Sequence, residues 1–492
     1  MSTPSRPARA ERHAGTFVSP ASRPTVAVIG AGFSGLMTAL QLLERPDGPR
    51  VRLIERRQPF ACGAAYSTTF RDHLLNVRAA NMSAYPDRPS HFVDWLATQG
   101  EPYRDTAFVR RSRYGGYLKA MLATAAERSE AGRLLLEADA VVGLEPWGER
   151  WRLTYAMGRV IEVDAVILAV GNFPPHLPAG VGEAAAQSEA FIGDPWTSDL
   201  ASAPEAGHAL LIGTGLTMVD VALRLAAERP GLTLTAISRR GLLPQRHQES
   251  GPTPLTWDPG RKTTVRGLIR RMRELAKDAD WRTVIDGVRP HVQTIWRGWS
   301  VKEQRRFLRH ARPWWDVHRH RLAPAVARRI DELIAVRALN VHAGRFVAMT
   351  PEGERLSIHW RRKGSAVVEG FKADLVVNCS GPTGQLARSA DPLIAALARQ
   401  GLIRPDPQNL GLDVDALGRL VTEAGAASDR LYSIGPATRG AFWEITSVPD
   451  IRVQAASLAH QVCDQLQGVD READADPAAA RRPTPTPQEA WT

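Results

Sequence analysis

Two glycine-rich turns carry the chemistry most readily read from this chain. The first is Gly30-Ala-Gly32-Phe33-Ser34-Gly35, and an acid, Glu55, stands 25 positions after Gly30. The second is Gly213-Thr214-Gly215-Leu216-Thr-Met218, with Ser238-Arg239-Arg240 beginning at the same offset of 25. In such a turn the first glycine allows a tight bend and the second lets a pyrophosphate approach the backbone. The third lets the following helix pack on its strand. Free N–H groups at the helix start then bind the phosphates. Met218 takes the place of the third glycine in the second turn, so packing there is expected to be looser.

The residue at the strand tip separates the two sites. A carboxylate such as Glu55 accepts hydrogen bonds from a ribose diol and repels a 2′-phosphate, whereas serine followed by two arginines does the reverse. The first turn therefore suits FAD and the second NADPH. Arg239 and Arg240 as plain surface charges are the alternative.

Strand, turn, helix and strand must stand around each motif for this to work, and the apolar patterning supplies them. Thr25–Ile29, the helix-like Leu36–Glu44 and Val51–Ile54 frame the first turn; Ala209–Ile212, Val219–Glu228 and Leu232–Ile237 frame the second. Each unit continues into a β-rich stretch (133–163 and 339–368) and closes on a buried strand and glycine turn, Asp164–Gly171 and Asp374–Gly381. Leu431–Gly435 is another such strand and turn. The expected fold is α/β, with two dinucleotide-binding (Rossmann-type) domains, one inserted in the other, plus a helical insertion. The expected FAD domain covers 25–205 and 371–465. The NAD(P)H domain covers 206–370, with a helical insert at about 262–335. A basic leader (1–24) and a polar tail (466–492) are expected to be disordered.

Composition bounds the function classes. The net charge of +11 is concentrated between Arg261 and Arg329, where nineteen Lys or Arg face six Asp or Glu. That segment reads as a solvated basic helical face or a funnel for anionic ligands; no nucleic-acid module accompanies it. It also carries Trp281, Trp296, Trp299, Trp314 and Trp315, which suit a packed helical core or a lid stacking on an aromatic substrate. Cys62, Cys379 and Cys463 are too far apart in sequence for a CxxC redox pair or a metal cluster, so no metal is expected. No apolar run reaches the ~18 residues of a membrane span, and nothing in the leader reads as a secretory signal. A cytoplasmic protein with no membrane and no nucleic-acid partner is expected.

Longer strings carry a resemblance. Cys62-Gly-Ala-Ala-Tyr66-Ser, His73-Leu-Leu-Asn76-Val77 through Met82-Ser-Ala, Ser238 to Pro244, Val317 to Pro324 and Phe442 to Arg452 resemble a bacterial FAD/NAD(P)-binding protein family that includes FAD-dependent urate hydroxylases. More distantly, the order Asn76, Met82, Asp87-Arg-Pro89 is similar to flavin-containing monooxygenases, with one extra residue before the Asp. Gly435-Pro436 departs from the Gly-Asp found at the last glycine turn of many two-dinucleotide flavoproteins.

Together these readings assign FAD to Gly30, Gly32, Phe33, Ser34, Gly35, Glu55, Arg56, Tyr66, Asn76, Val77, Met82, Val142, Gly171 and Gly435. They assign NADPH to Gly213, Thr214, Gly215, Leu216, Ser238, Arg239 and Arg240. Asn76, His247 and Glu444 are the catalytic candidates. For Asn76 a turn cap, and for the other two a structural hydrogen bond, is the competing role. The resemblance implies an NADPH-dependent monooxygenase that hydroxylates a small polar molecule, a urate-like heterocycle or an amine, with O2 through a C4a-(hydro)peroxyflavin. An NADPH-dependent reductase serving a quinone or partner protein, and a non-catalytic redox sensor, remain as alternatives.

Overall fold

The computed structural model describes residues 23–100, 103–198, 200–249, 254–257, 263–382, 384–386 and 389–468. Most of the expected leader and tail lies outside these described residues.

Thr25–Ile29 is buried from Val26 onward and pairs in parallel with Arg50–Ile54 on one side and Ala165–Leu168 on the other. Its continuous apolar run is what a strand covered on both faces requires. The whole sheet runs Arg419–Val421, Ala427–Ser433, Ala165–Leu168, Thr25–Ile29, Arg50–Ile54, Leu134–Glu137. Helices Phe33–Glu44 and Val448–Leu466 pack on each other and bury residues in the same core. Strands from both ends of the chain thus build one sheet.

The second sheet runs Glu369–Ala373, Arg355–Arg362, Leu339–Glu352, Gly231–Ser238, Ala206–Ile212, Leu375–Asn378, Phe191–Ile192. Its membership moves both expected boundaries. Leu375–Asn378 pairs with Ala209–Ile212, and Phe191–Ile192 pairs with Val376–Val377, although 371 and 205 were the expected limits of the flanking domain. The second unit therefore extends from about residue 190 to the turn at Gly381.

The two units close with the same device. The Thr25 N–H donates to Asp164 Oδ2 (2.7 Å), and the Asp164 N–H donates to the Thr25 carbonyl (2.8 Å). In the second unit His208 and Asp374 exchange the equivalent bonds at 2.7 and 2.8 Å. An aspartate preceding each closing strand thereby registers it on its neighbour.

Helices between Val265 and Arg319 form a separate apolar cluster that includes Val288, Trp296, Phe307 and Trp315, whereas the helix Pro324–Ala335 buries Ala327, Ile330 and Leu333 in the core of the second sheet. Trp443, from the segment after the last glycine turn, stacks on Trp296 at 4.8 Å and joins that cluster. Of the five tryptophans, Trp296 and Trp315 are buried, Trp281 and Trp299 pack at its margin, and Trp314 is exposed. They act mainly as the core of the helical insertion. Among the described residues no helix is long and apolar enough to cross a membrane.

Candidate active site

The first glycine turn sits at the carboxyl ends of the first sheet, where ligands of open α/β sheets bind. Gly30 has φ +102°, and a Cβ there would lie 2.4 Å from the Ala169 carbonyl oxygen. Gly213 repeats this with φ +120° and the Cys379 carbonyl at 2.5 Å. Both first glycines are therefore required by the fold itself. The second glycines are not. Gly32 (φ −71°) would bring a Cβ no closer than 3.6 Å to Gly63, and Gly215 (φ −86°) would meet nothing within 4 Å. Both residues cap their helices, at Phe33 and Leu216, so open space stands at two helix N-termini. These cradles, which a side chain would fill, fit the pyrophosphates of two dinucleotides.

The strand tips hold the turns from below. Glu55 Oε2 accepts from the Ala31 N–H (2.8 Å) and Oε1 from the Arg57 N–H (3.1 Å), leaving lone pairs for a ribose diol. Arg56, expected at the cofactor, is exposed and ion-paired at 2.7 Å to Asp391. Ser238 Oγ accepts from the Gly241 N–H (3.0 Å) and lies 2.8 Å from Thr214 Oγ1, whose hydroxyl donates to the Leu242 carbonyl (2.6 Å). With its proton directed to Thr214, Ser238 shapes the turn, and a 2′-phosphate would fall to Arg239 and Arg240. Arg239 is exposed and Arg240 half-buried; neither makes an ion pair among the described residues.

Around the first turn, Gly435 would place a Cβ 2.3 Å from Ser34 Oγ, and its N–H donates to Gln454 Oε1 (2.9 Å). Gly171 (φ +72°) follows the closing strand and faces open space. Phe33 and Ser34 are buried, and Phe33 meets Tyr66 edge-on at 6.4 Å. Burial pushes the Tyr66 phenol up to about 12. Met82 is buried, while Val77 and Val142 are half-buried. Asp87, of the monooxygenase-like string, is exposed beside Arg88.

The structure joins two of the three catalytic candidates. His247 Nε2–H donates to the Asn76 carbonyl at 3.1 Å, and its ring packs on Phe108 at 5.0 Å. Burial, with Arg321 and Arg78 nearby, drives the His247 imidazole down to about 3, so it is a neutral donor. Arg78 adds a clasp, donating to the carbonyls of Gln248 (2.6 Å) and Glu249 (3.0 Å). The Asn76 carboxamide itself makes no hydrogen bond among the described residues.

Glu444 stands apart from that pair in its bonding. It is buried with φ +69°, accepts from Trp315 Nε1 (2.9 Å), and faces His320 (3.6 Å) and Arg319 (3.4 Å). Burial alone would raise its carboxyl, but His320, Arg319 and the Trp315 donor hold it well below the carboxylate range. Asp316, His320 and Glu444 bring possible ligand atoms within 4.8 Å of one another. Arg312 and Arg319 already serve these acids, so the trio reads as an ion-pair cluster that anchors the helical insertion to the last glycine segment.

Two further arginines stand here that are not among the expected site residues, Arg319 and Arg321, buried at 8% and 2% exposure. The Val317–Pro324 string contains both, but nothing in it distinguishes buried cations from solvated ones. A cavity of about 210 Å3 lies elsewhere, between Phe70, His73, Trp196 and Asp220; no expected site residue lines it. Beside it Arg111 grips Asp220 with two bonds (2.7 and 3.0 Å), tying the two units together.

Comparison with known proteins agrees with this geometry. Residues 27–173 match the FAD-NAD(P)-binding family model. No curated protein matches the chain in sequence. Among solved structures, the ornithine N-hydroxylase of Kutzneria sp. 744 is similar over 90% of this chain and 99% of its own, with TM-score 0.61 and 16% identity. The cadaverine monooxygenase of Erwinia amylovora, solved bound to FAD, is similar over 90% and 95% (TM-score 0.63, 13% identity). The bacillithiol disulfide reductase of Bacillus cereus is similar over 90% and 99% (TM-score 0.53, 12% identity). Residues 27–173 thus match an FAD/NAD(P)-binding family, and the chain as a whole shares the fold of these solved enzymes.

Proposed function

We propose that this protein is an NADPH-dependent FAD monooxygenase that hydroxylates a small polar substrate with O2. The observation that carries the reading is the pair of open glycine cradles. One lies beside the Glu55 carboxylate, which accepts from the Ala31 N–H, and the other beside Arg239 and Arg240, which make no ion pair among the described residues. FAD reduced by NADPH supplies the oxygen-activating chemistry, and the chain supplies binding, position and exclusion of water. The names of the ornithine and cadaverine enzymes point to the same reaction class. The bacillithiol reductase name is not a guide here. Cys62, Cys379 and Cys463 are all buried free thiols, and burial raises each pKa, which disfavours thiolate exchange.

Asn76 is the residue we assign to the reacting centre. Its backbone is held by His247 and its carboxamide is left to donate to bound oxygen or substrate. A donor aimed at developing charge is commonly worth ~100-fold in rate. Asn76→Ala should keep FAD binding and its reduction by NADPH, yet lose product per NADPH and release more H2O2. Unchanged coupling in that variant, measured with a substrate the wild type turns over, removes Asn76 from the mechanism.

A further inference from the structure

Close to His247, two guanidinium groups are buried together with more donors than the protein uses. Arg319 ends the helix Arg312–Arg319 and Arg321 follows two residues later. The segment is fixed by paired backbone bonds, Leu322 N–H to the Gln245 carbonyl (2.8 Å) and His247 N–H to the Leu322 carbonyl (2.9 Å). Arg321 is therefore placed beside His247, which in turn holds Asn76.

Their present partners are few. Arg321 Nη2 pairs with Asp286, and Arg319 Nε lies 3.4 Å from Glu444 Oε2, outside hydrogen-bond alignment. If Glu444 is granted to Arg319 Nε, the buried Nη2 of Arg319 and the Nε and Nη1 of Arg321 still lack an acceptor among the described residues. Buried donors without acceptors are costly, and those on ions more so. The two cations also act on each other, and Arg319 acts on Arg289, so like charges are gathered out of water. An arrangement of this kind is stable when an anion completes it, and the planar fork of arginine matches a carboxylate.

We propose that Arg319 and Arg321 form an anion subsite beside Asn76, so that the substrate carries a carboxylate or an equivalent planar anion. The proposal rests on the reading that Asn76 marks the reacting centre. It narrows the substrate class to molecules with a planar anion, excludes simple neutral or purely cationic amines as preferred substrates, and absorbs part of the basic charge of residues 261–329 into recognition.

The test is equilibrium binding to the oxidised holoenzyme with matched probes. Benzoate is compared with benzamide, and L-ornithine with 1,4-diaminobutane. Binding is followed by calorimetry and by tryptophan fluorescence, since Arg321 lies 5.7 Å from the Trp281 ring. At least one carboxylate-bearing probe should bind about tenfold or more tightly than its partner lacking the carboxylate. Arg319→Met and Arg321→Gln should each abolish that preference, while Arg319→Lys, which keeps the charge, should retain part of it. The comparison of probes on the wild type stands even if a variant fails to fold. Equal affinity within each pair, no binding of either carboxylate-bearing probe, or a preference that survives both substitutions overturns the proposal. An anion held through these arginines but never oxygenated leaves the subsite standing and removes the monooxygenase reading instead.

Discussion

Gly215→Ala separates what the fold needs from what the second dinucleotide needs. At φ −86° and ψ −166° the backbone accepts any L-residue, and the new methyl meets no protein atom within 4 Å. The protein should lose little stability, about 0.5–1 kcal/mol for alanine in place of glycine at a helix N-cap. A pyrophosphate resting on that helix start would lose one charge-assisted hydrogen bond or more, each worth about 1.5–3 kcal/mol. NADP+ affinity should therefore fall about tenfold to 100-fold. Titrating NADP+ into the oxidised holoenzyme by calorimetry measures the affinity, and thermal unfolding measures the stability. FAD content should be unchanged. Gly213→Ala is the contrast: φ +120° and a carbonyl at 2.5 Å make it a folding defect. Wild-type NADP+ affinity in a well-folded Gly215→Ala protein would refute the second cradle.

Two other expectations are as direct. Arg239→Ala should weaken NADPH about tenfold and leave NADH nearly unchanged, because the exposed guanidinium is assigned to the 2′-phosphate alone; equal weakening of both cofactors contradicts that assignment. His247 is held neutral, its pKa near 3 against about 6.5 unfolded. Its contribution to stability is complete above pH 6.5 and is lost as pH falls towards 3. His247→Gln keeps an N–H for the Asn76 carbonyl but cannot titrate. The melting temperature of the wild type should fall faster than that of the variant between pH 7 and 5, and parallel profiles would show that burial of this imidazole has been misjudged.

The parts of the molecule that were legible in sequence are those governed by local pattern. Thr25–Ile29 and Ala209–Ile212 announce themselves as buried strands, and the glycine turns follow from backbone sterics at Gly30 and Gly213. The membership of Leu375–Asn378 was not legible, because a buried parallel strand looks alike in either sheet and its partner Ala209–Ile212 lies more than 160 residues away. The strand-tip position of Ser238 is legible in sequence, but its hydrogen bonds to Gly241 and Thr214, which brace the turn, are not. Asn76 and His247 were each picked out by string likeness, but their contact depends on the Gln245–Leu322 pairing, which no local period encodes. Arg319 and Arg321 show the same limit most plainly. On a basic helical segment every arginine resembles its neighbours until tertiary packing decides which are removed from water.

The central claim is that electrons from NADPH reach O2 and that one oxygen atom enters the substrate. The most direct test is stoichiometry in 18O2, with NADPH oxidation, H2O2 and labelled product measured together across amino acids, amines and purines including urate. One substrate is expected for which NADPH consumed equals labelled product formed, with little H2O2. NADPH consumption that never yields labelled product, and instead passes to a quinone or ends wholly as H2O2, would contradict it.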